Sequence, residues 1–296
     1  MKQRTITGLL IFLFMAPFII FGGYPMAIFV LILCIIGMYE FLNIKKKANQ
    51  QPIPIYIYFL CIIFSLLMIF DISFISQYAY DFEFATLENY GLNILWVVLS
   101  IATLFTCSIF DKKYSFMDAI YSFATMMFLT LGLKGMLYLR SFNSINNIND
   151  GTLLIVYVLI TSSITDIFAY FGGMTCYKLL GTEKVHKLNE RISPKKTIEG
   201  SLIGTLFGTA FGFIFAYFFL NGFGNTILSK WYVLLIMSFA LSLSGQIGDL
   251  ILSANKRHFE IKDYSKLLPG HGGVLDRIDS TLLNCMIASL FISLLA

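Results

Sequence analysis

Charge is scarce in this chain. Of its 296 residues, 13% are Asp, Glu, Lys or Arg, against 57% hydrophobic and 16% aromatic. A soluble domain carries about 25% charged and about 45–50% apolar residues, so a water-soluble globule is excluded. Paired cysteines are missing as well. The five present (Cys34, Cys61, Cys107, Cys176, Cys285) lie singly in or beside apolar runs with no C-x-x-C, a spacing that supports neither a disulfide framework nor a zinc site. They read as small packing residues. No internal repeat, low-complexity tract or polar stretch long enough for a soluble domain is present; the two largest polar connections are 178–199 and 254–276. Lys2 and Arg4 precede an apolar run as in a signal peptide, but the run reaches about Phe21 without an A-x-A-like site and is read as a retained first span.

What is abundant is apolar runs of membrane length. About 20 apolar residues cross a ~30 Å hydrocarbon core. Nine segments qualify: 5–22, 25–43, 53–70, 92–110, 117–139, 152–177, 200–220, 231–253 and 277–296. The breaker cluster Gly22-Gly23-Tyr24-Pro25 makes the first two a hairpin. With the N-terminus inside, all of the 21 lysines and arginines except Lys134, Arg140 and Lys230 fall in cytoplasmic segments, while Asp71, Asp81, Glu83 and Glu88 face outside. That satisfies the positive-inside rule. The expectation is an all-α polytopic membrane protein of about nine spans, N-terminus in and C-terminus out, with five spans in 1–150 and four in a catalytic region 151–296.

The first five spans are nearly featureless; the last four are not. In the eighth, Ser238, Ser242, Gln246, Asp249, Ser253 and Lys256 recur at steps of 4, 4, 3, 4 and 3, one face of a helix. Serines alone would serve as helix–helix contacts. Asp249 costs roughly 2.5–3.5 kcal/mol near a membrane centre, which favours a lined, wet cavity. The sixth span carries Ser162, Thr165 and Asp166, an intramembrane carboxylate that either serves a site or pairs with a buried cation such as Lys134. In the seventh, Gly200, Gly204, Gly208 and Gly212 form a packing ladder that presses this helix against the sixth or eighth.

Three cytoplasmic features suit a polyphosphate. "SPKKTIEG" places Ser193 as an N-cap and Pro194 at the first helical position of the seventh span, with Lys195 and Lys196 reinforcing the positive helix end. Lys256, Arg257 and Lys262 follow the Asp249 stripe. "LPGHGGVLDRID" then supplies Gly270, Gly272 and Gly273, whose amides could approach an anion, followed by Asp276 and Asp279 on one face of the opening turn of the last span. With Asp249 these two acids make a hard-oxygen set suited to Mg²⁺, alone or with a second metal ion. His271 is either a general base or a hydrogen-bonding or packing group. His186 and His258 read as solvated loop residues.

The stretch Ser253 to Asp279, with Lys256-Arg257, Lys262-Asp263, Pro269, His271-Gly272-Gly273, Asp276-Arg277 and Asp279, closely resembles the signature of phosphatidate cytidylyltransferases, the CDP-diacylglycerol synthases. Only Asn255 departs from it, at a place usually apolar. Upstream, "DIFAYFGGMTCYKLLG" and "ISPKKTIEG" are similar to the family's D-x-G-A-Y and S-P-x-K-T segments, with Phe168 at the usual Gly and Met174 and Tyr177 at positions often Arg and Gly. The similarity covers roughly residues 160–285.

The resemblance implies that CTP and phosphatidic acid give CDP-diacylglycerol and pyrophosphate, with Mg²⁺ at Asp249, Asp276 and Asp279. It implies a catalytic set of these acids with Lys256 and Arg257. Asp166, Ser193, Lys195, Lys196, Thr197, Lys262, His271, Gly272, Gly273 and Arg277 would hold substrates, undivided between the two. The partners expected are CTP, phosphatidic acid and the bilayer, with a homodimer left open and no nucleic acid. The expected place is the cell membrane, with the site facing the cytoplasm. Rival readings are another CTP-dependent lipid enzyme, such as a polyprenol kinase, and an ion-coupled transporter using Asp166 and Asp249; the latter lacks the repeat symmetry transporters commonly show.

Overall fold

A computed structural model describes residues 2–70, 94–142, 150–181, 184–220 and 230–295. Each of the nine apolar segments becomes one long helix: α1 (Lys2–Phe21), α2 (Gly23–Leu42), α4 (Ile55–Ile69), α5 (Ile94–Phe110), α6 (Phe116–Ser141), α7 (Asp150–Leu180), α8 (Ile198–Phe219), α9 (Trp231–His258) and α10 (Leu275–Leu295). A single turn, α3 (Ile44–Lys47), and two short antiparallel strands, β1 (Lys187–Asn189) and β2 (Ser193–Thr197), complete the described elements. Among the described residues, six helices, α2 and α6 to α10, are long and apolar enough to cross a membrane by length and composition. The 15-residue α4 and 17-residue α5 are shorter apolar helices. At 1.5 Å per residue, 17 residues reach only about 25 Å. The acidic segment with Asp71, Asp81, Glu83 and Glu88 lies outside the described residues.

The hairpin expected at Gly22 is present, and an arginine locks it. Arg140, near the end of α6, donates from Nε to the Ile19 carbonyl (2.7 Å) and from Nη2 to that of Ile20 (2.9 Å). These carbonyls belong to the last turn of α1, where a cation complements the helix dipole. Gly22 takes φ 62°, and a β-carbon there would strike the guanidinium. A capping box between Ser115 and Asp118 starts α6.

The glycine ladder binds α8 to α7. A β-carbon on Gly200 would lie 2.6 Å from the Ala169 carbonyl, on Gly204 2.7 Å from Ala169 Cβ, and on Gly212 2.7 Å from Thr161 Oγ1, while on Gly208 it would collide with Thr165. Thr161, Thr165, Ala169 and Gly173 repeat at the same fourfold step, so two small-residue faces meet. Phe168, which departs from the family pattern, stacks on Phe207 of α8 with centroids 4.3 Å apart. Small residues likewise seat α6 on α10: a β-carbon on Gly132 would lie 2.7 Å from Leu282, and on Gly135 2.7 Å from the Cys285 carbonyl.

Three residues of the α9 polar stripe are engaged between helices. Ser238 bonds Tyr157 (2.7 Å), Ser242 bonds Thr165 (2.8 Å), and Gln246 reaches Thr205 (2.9 Å) and Ser201. These groups find partners on α7 and α8, so the stripe is interhelical hydrogen bonding up to Asp249.

One end of the bundle gathers the polar connections. Lys45 pairs with Asp118, Lys47 donates to the Tyr264 carbonyl, and Arg257 donates to the Ile192 carbonyl (3.3 Å). The segments around α3, the start of α6, the strand pair and the 259–274 loop therefore share one face.

Candidate active site

The segment after α9 is a tight loop built around a buried acid. Gly270 and Gly272 have φ of 75° and 87°, values that favour glycine. Leu268 and Gly272 form an isolated bridge, and the His271 amide returns to the Leu268 carbonyl (2.9 Å). At the first turn of α10, Asp276 is buried and its two oxygens accept three bonds. Oδ1 takes Lys256 Nζ (2.8 Å); Oδ2 takes the amides of Gly273 (2.8 Å) and Tyr264 (2.9 Å). The glycine loop thus cradles an anion as its composition suggests, but the anion is the protein's own Asp276.

Sequence reasoning missed the second acid of this loop. Glu40 of α2 is 2% exposed and accepts from Ser265 Oγ (2.5 Å) and from the amides of Val274 (3.0 Å) and Leu275 (2.8 Å). It satisfies free amides at the start of α10, as an anion at a helix N-terminus does. A carboxylate alone in the apolar α2 run is the signal that could have found it.

A second group of acids lies where α9 and α10 touch. A β-carbon on Gly248 would meet the Asp279 carbonyl at 2.8 Å, so the two backbones are in near contact beside Asp249. Asp249 is ion-paired with Lys196 of β2 and accepts from Ser253 (3.2 Å). Asp279 accepts from the Ser280 amide (2.8 Å) and lies within electrostatic range of Asp249, Asp166 and Lys256. Asp166 of α7 makes no hydrogen bond among the described residues and faces the charges of Lys196 and Asp249.

The start of α8 differs from the expected one. Ser193 is not an N-cap and Pro194 is not its first helical residue; both lie in β2, paired with β1. The cap is Thr197, whose hydroxyl accepts from the Gly200 amide (3.0 Å), while Glu199 in the first turn is held by His186 (2.8 Å). The strand pairing through Lys187–Asn189 overrides the local Ser-Pro signal. Arg257 donates to the carbonyls of Ile192 and Ile261 and so ties the strand pair to the loop. Lys195, Lys262 and Arg277 are exposed, and their side chains make no hydrogen bond or ion pair among the described residues. His271 Nδ1 is buried without a partner.

No group of three or more His, Cys, Asp or Glu side chains is arranged to hold a metal ion among the described residues. The donor chemistry nonetheless suits a hard divalent cation: Asp249, Asp279 and Asp166 are three mutually repelling carboxylates that share the two cations Lys196 and Lys256. Asp276 has two oxygens and roughly four lone-pair sites, of which three are engaged.

This is the arrangement of a helical membrane protein with charged groups gathered at one bundle end. A sequence model described as the cytidylyltransferase family matches residues 2–295, and the chain belongs to that family. The match extends well beyond the 160–285 expected from motifs and takes in the N-terminal helices. Among similar proteins are the phosphatidate cytidylyltransferase of Staphylococcus haemolyticus, 32% identical over 95% of this chain and 94% of its own, and that of Staphylococcus epidermidis, 31% identical over the same shares. The phosphatidate cytidylyltransferase of Staphylococcus aureus is 32% identical, again over 95% and 94%.

Proposed function

We propose that the chain is a CTP:phosphatidate cytidylyltransferase, forming CDP-diacylglycerol and pyrophosphate. The observation that carries the site assignment is the meeting of Lys196 from β2, Asp249 from α9 and Asp279 from α10 at the end of the bundle. Cations and acids from distant segments come together there, as a triphosphate with its counterion requires. The face they share holds most of the basic loops, which supports a cytoplasmic site in the cell membrane.

The lipid phosphate oxygen attacks the α-phosphorus of CTP; the bond from that phosphorus to the α–β bridging oxygen breaks, and pyrophosphate leaves. Because the nucleophile is already anionic, no base is needed, and His271 serves as a hydrogen-bonding group. Positioning and charge neutralisation carry such transfers. Lys195, Lys196 and Lys262 hold the triphosphate. Lys256 holds Asp276, and Arg257 secures the loop and strand pair. Asp249, Asp279 and Asp276 would hold Mg²⁺, which would supply neutralisation of phosphate charge.

The test is incubation of purified protein with CTP, phosphatidic acid and Mg²⁺. CDP-diacylglycerol with pyrophosphate is expected. CDP with a phosphorylated lipid would instead indicate a kinase, and undiminished activity after complete metal chelation would remove the metal assignment.

A further inference from the structure

An asparagine and two tyrosines link α9 and α6 to the loop before α10. Asn255, in the last turn of α9, donates from its side-chain amide to the hydroxyl of Tyr264 (2.9 Å) and to that of Tyr121 on α6 (3.2 Å). Each hydroxyl places its own hydrogen on a backbone carbonyl, Tyr264 on Leu252 (3.2 Å) and Tyr121 on Phe41 of α2 (3.1 Å). Both oxygens are thereby left to accept, and one NH₂ group serves both.

Tyr264 is the residue this link holds. It is fully buried, its ring meets Phe41 edge-on with centroids 5.5 Å apart, and its carbonyl accepts from Lys47. It also touches both members of the Lys256–Asp276 pair. Its amide donates to Asp276 Oδ2 (2.9 Å), and the Lys256 ammonium lies 5.4 Å from the centre of its ring. A shift of Tyr264 therefore moves the acid and its counter-ion together.

We propose that Asn255 is a positioning residue: by holding the Tyr264 hydroxyl it fixes the Tyr264 amide, and through that amide the carboxylate of Asp276. The inference rests on the cytidylyltransferase reading only where it predicts turnover. An apolar residue at 255 packs but cannot donate to a buried hydroxyl. A buried polar group that loses its partner costs more than two apolar groups in contact, so the asparagine and the tyrosine belong together. The departure of Asn255 from the signature thus has a partner, the hydroxyl of Tyr264.

Hydrogen exchange of the metal-free protein and steady-state kinetics, both on the full chain, test this. In Asn255→Leu the Tyr264 amide should exchange about tenfold faster, the equivalent of about one hydrogen bond lost. Overlapping peptides across 259–268 read that amide. With CTP, phosphatidic acid and Mg²⁺, kcat should fall by about tenfold or more while KM for CTP stays within about twofold, because a displacement of ~1 Å slows the chemistry more than it weakens nucleotide binding. Tyr264→Phe deletes the other end of the same bond and should show both effects. The double variant Asn255→Leu/Tyr264→Phe replaces both partners by apolar groups and should return exchange and kcat to within about threefold of wild type. A lower melting temperature in Asn255→Leu with exchange and kcat unchanged would mark a purely structural contact and overturn the proposal. So would a double variant as impaired as either single one. A wild-type protein inactive on CTP and phosphatidic acid would defeat the activity reading, while the exchange rates would still decide whether Asn255 holds the loop.

Discussion

The carboxylate of Glu40 occupies the place where a β-carbon on Gly273 would stand, its Oε1 only 2.5 Å from that position. One residue belongs to α2 and the other to the loop before α10, so a helix in the first half of the chain shapes the loop that carries Asp276. The Gly273 amide turns toward Asp276 while the next two amides turn toward Glu40. Gly273→Ala should therefore displace Glu40 and lower activity. Glu40→Gln puts an amide NH₂ against backbone donors. Hydrogen bonds to a charged group are worth about 1.5–3 kcal/mol, so a loss of activity of about tenfold or more is expected. Turnover assays on membranes with matched protein levels check this; wild-type rates in both variants would show that the loop holds its shape without Glu40.

Asp276 and Asp279 separate structural from chemical roles. Asp276→Asn leaves Lys256 buried without its counter-charge; breaking such a pair costs about 3–5 kcal/mol. Lower thermal stability and lost activity should appear together. Among the described residues Asp279 accepts only the neighbouring Ser280 amide, so Asp279→Asn should fold normally. Its activity should nevertheless fall by about a hundredfold or more, as expected when charge stabilisation in the transition state is removed. A Mg²⁺ titration of CDP-diacylglycerol synthesis, with melting curves alongside, reads both effects. An Asp279→Asn protein keeping a third of wild-type activity would contradict the proposed role.

Gly208 faces Thr165 and Ser242 with no room for a methyl group. Gly208→Ala should destabilise the protein by about 1–3 kcal/mol, the usual result of overpacking. Adding Thr165→Ala removes the colliding hydroxyl and should restore part of the stability. Melting temperatures of the single and double variants decide the matter: additive losses would mean that α7 and α8 do not meet at these residues.

Reporter tags after Lys47 and after Lys187 should both register as cytoplasmic, and a tag near Glu83 as external. The contacts of Lys47 with Tyr264 and of Arg257 with Ile192 require the first two to lie on one side. A Glu83 tag on that side would overturn the nine-span arrangement.

Local patterns in the sequence were informative where the structure is itself local or repetitive. The Gly200–Gly212 ladder announces a close helix contact because a fourfold step leaves one face of α8 bare. The span positions follow from length and hydropathy alone. Ser193 misled because an N-cap is judged from adjacent residues, whereas its true partner is Asn189 across the strand pair. The partners of the α9 stripe were not legible for a related reason: periodicity shows that one face is polar, not that Tyr157, Thr165 and Thr205 will bond Ser238, Ser242 and Gln246. Glu40 went unnoticed because its partners lie beyond any sequence window.

The hold of Arg140 on the first helix has a consequence for biosynthesis. The chain is made from its N-terminus, so α1 and α2 enter the bilayer before Arg140 has been translated. Until α6 arrives, the last carbonyls of α1 lack this capping partner and the first hairpin can still shift against its surroundings. Seating of α1 is thus a late assembly event, and because α1 forms one wall of an apolar cavity, the protein acquires that compartment only once its neighbours are in place. Loss of the Arg140 side chain should therefore yield an inserted but incompletely assembled protein, recognised by quality-control proteolysis while its remaining helices are correctly threaded.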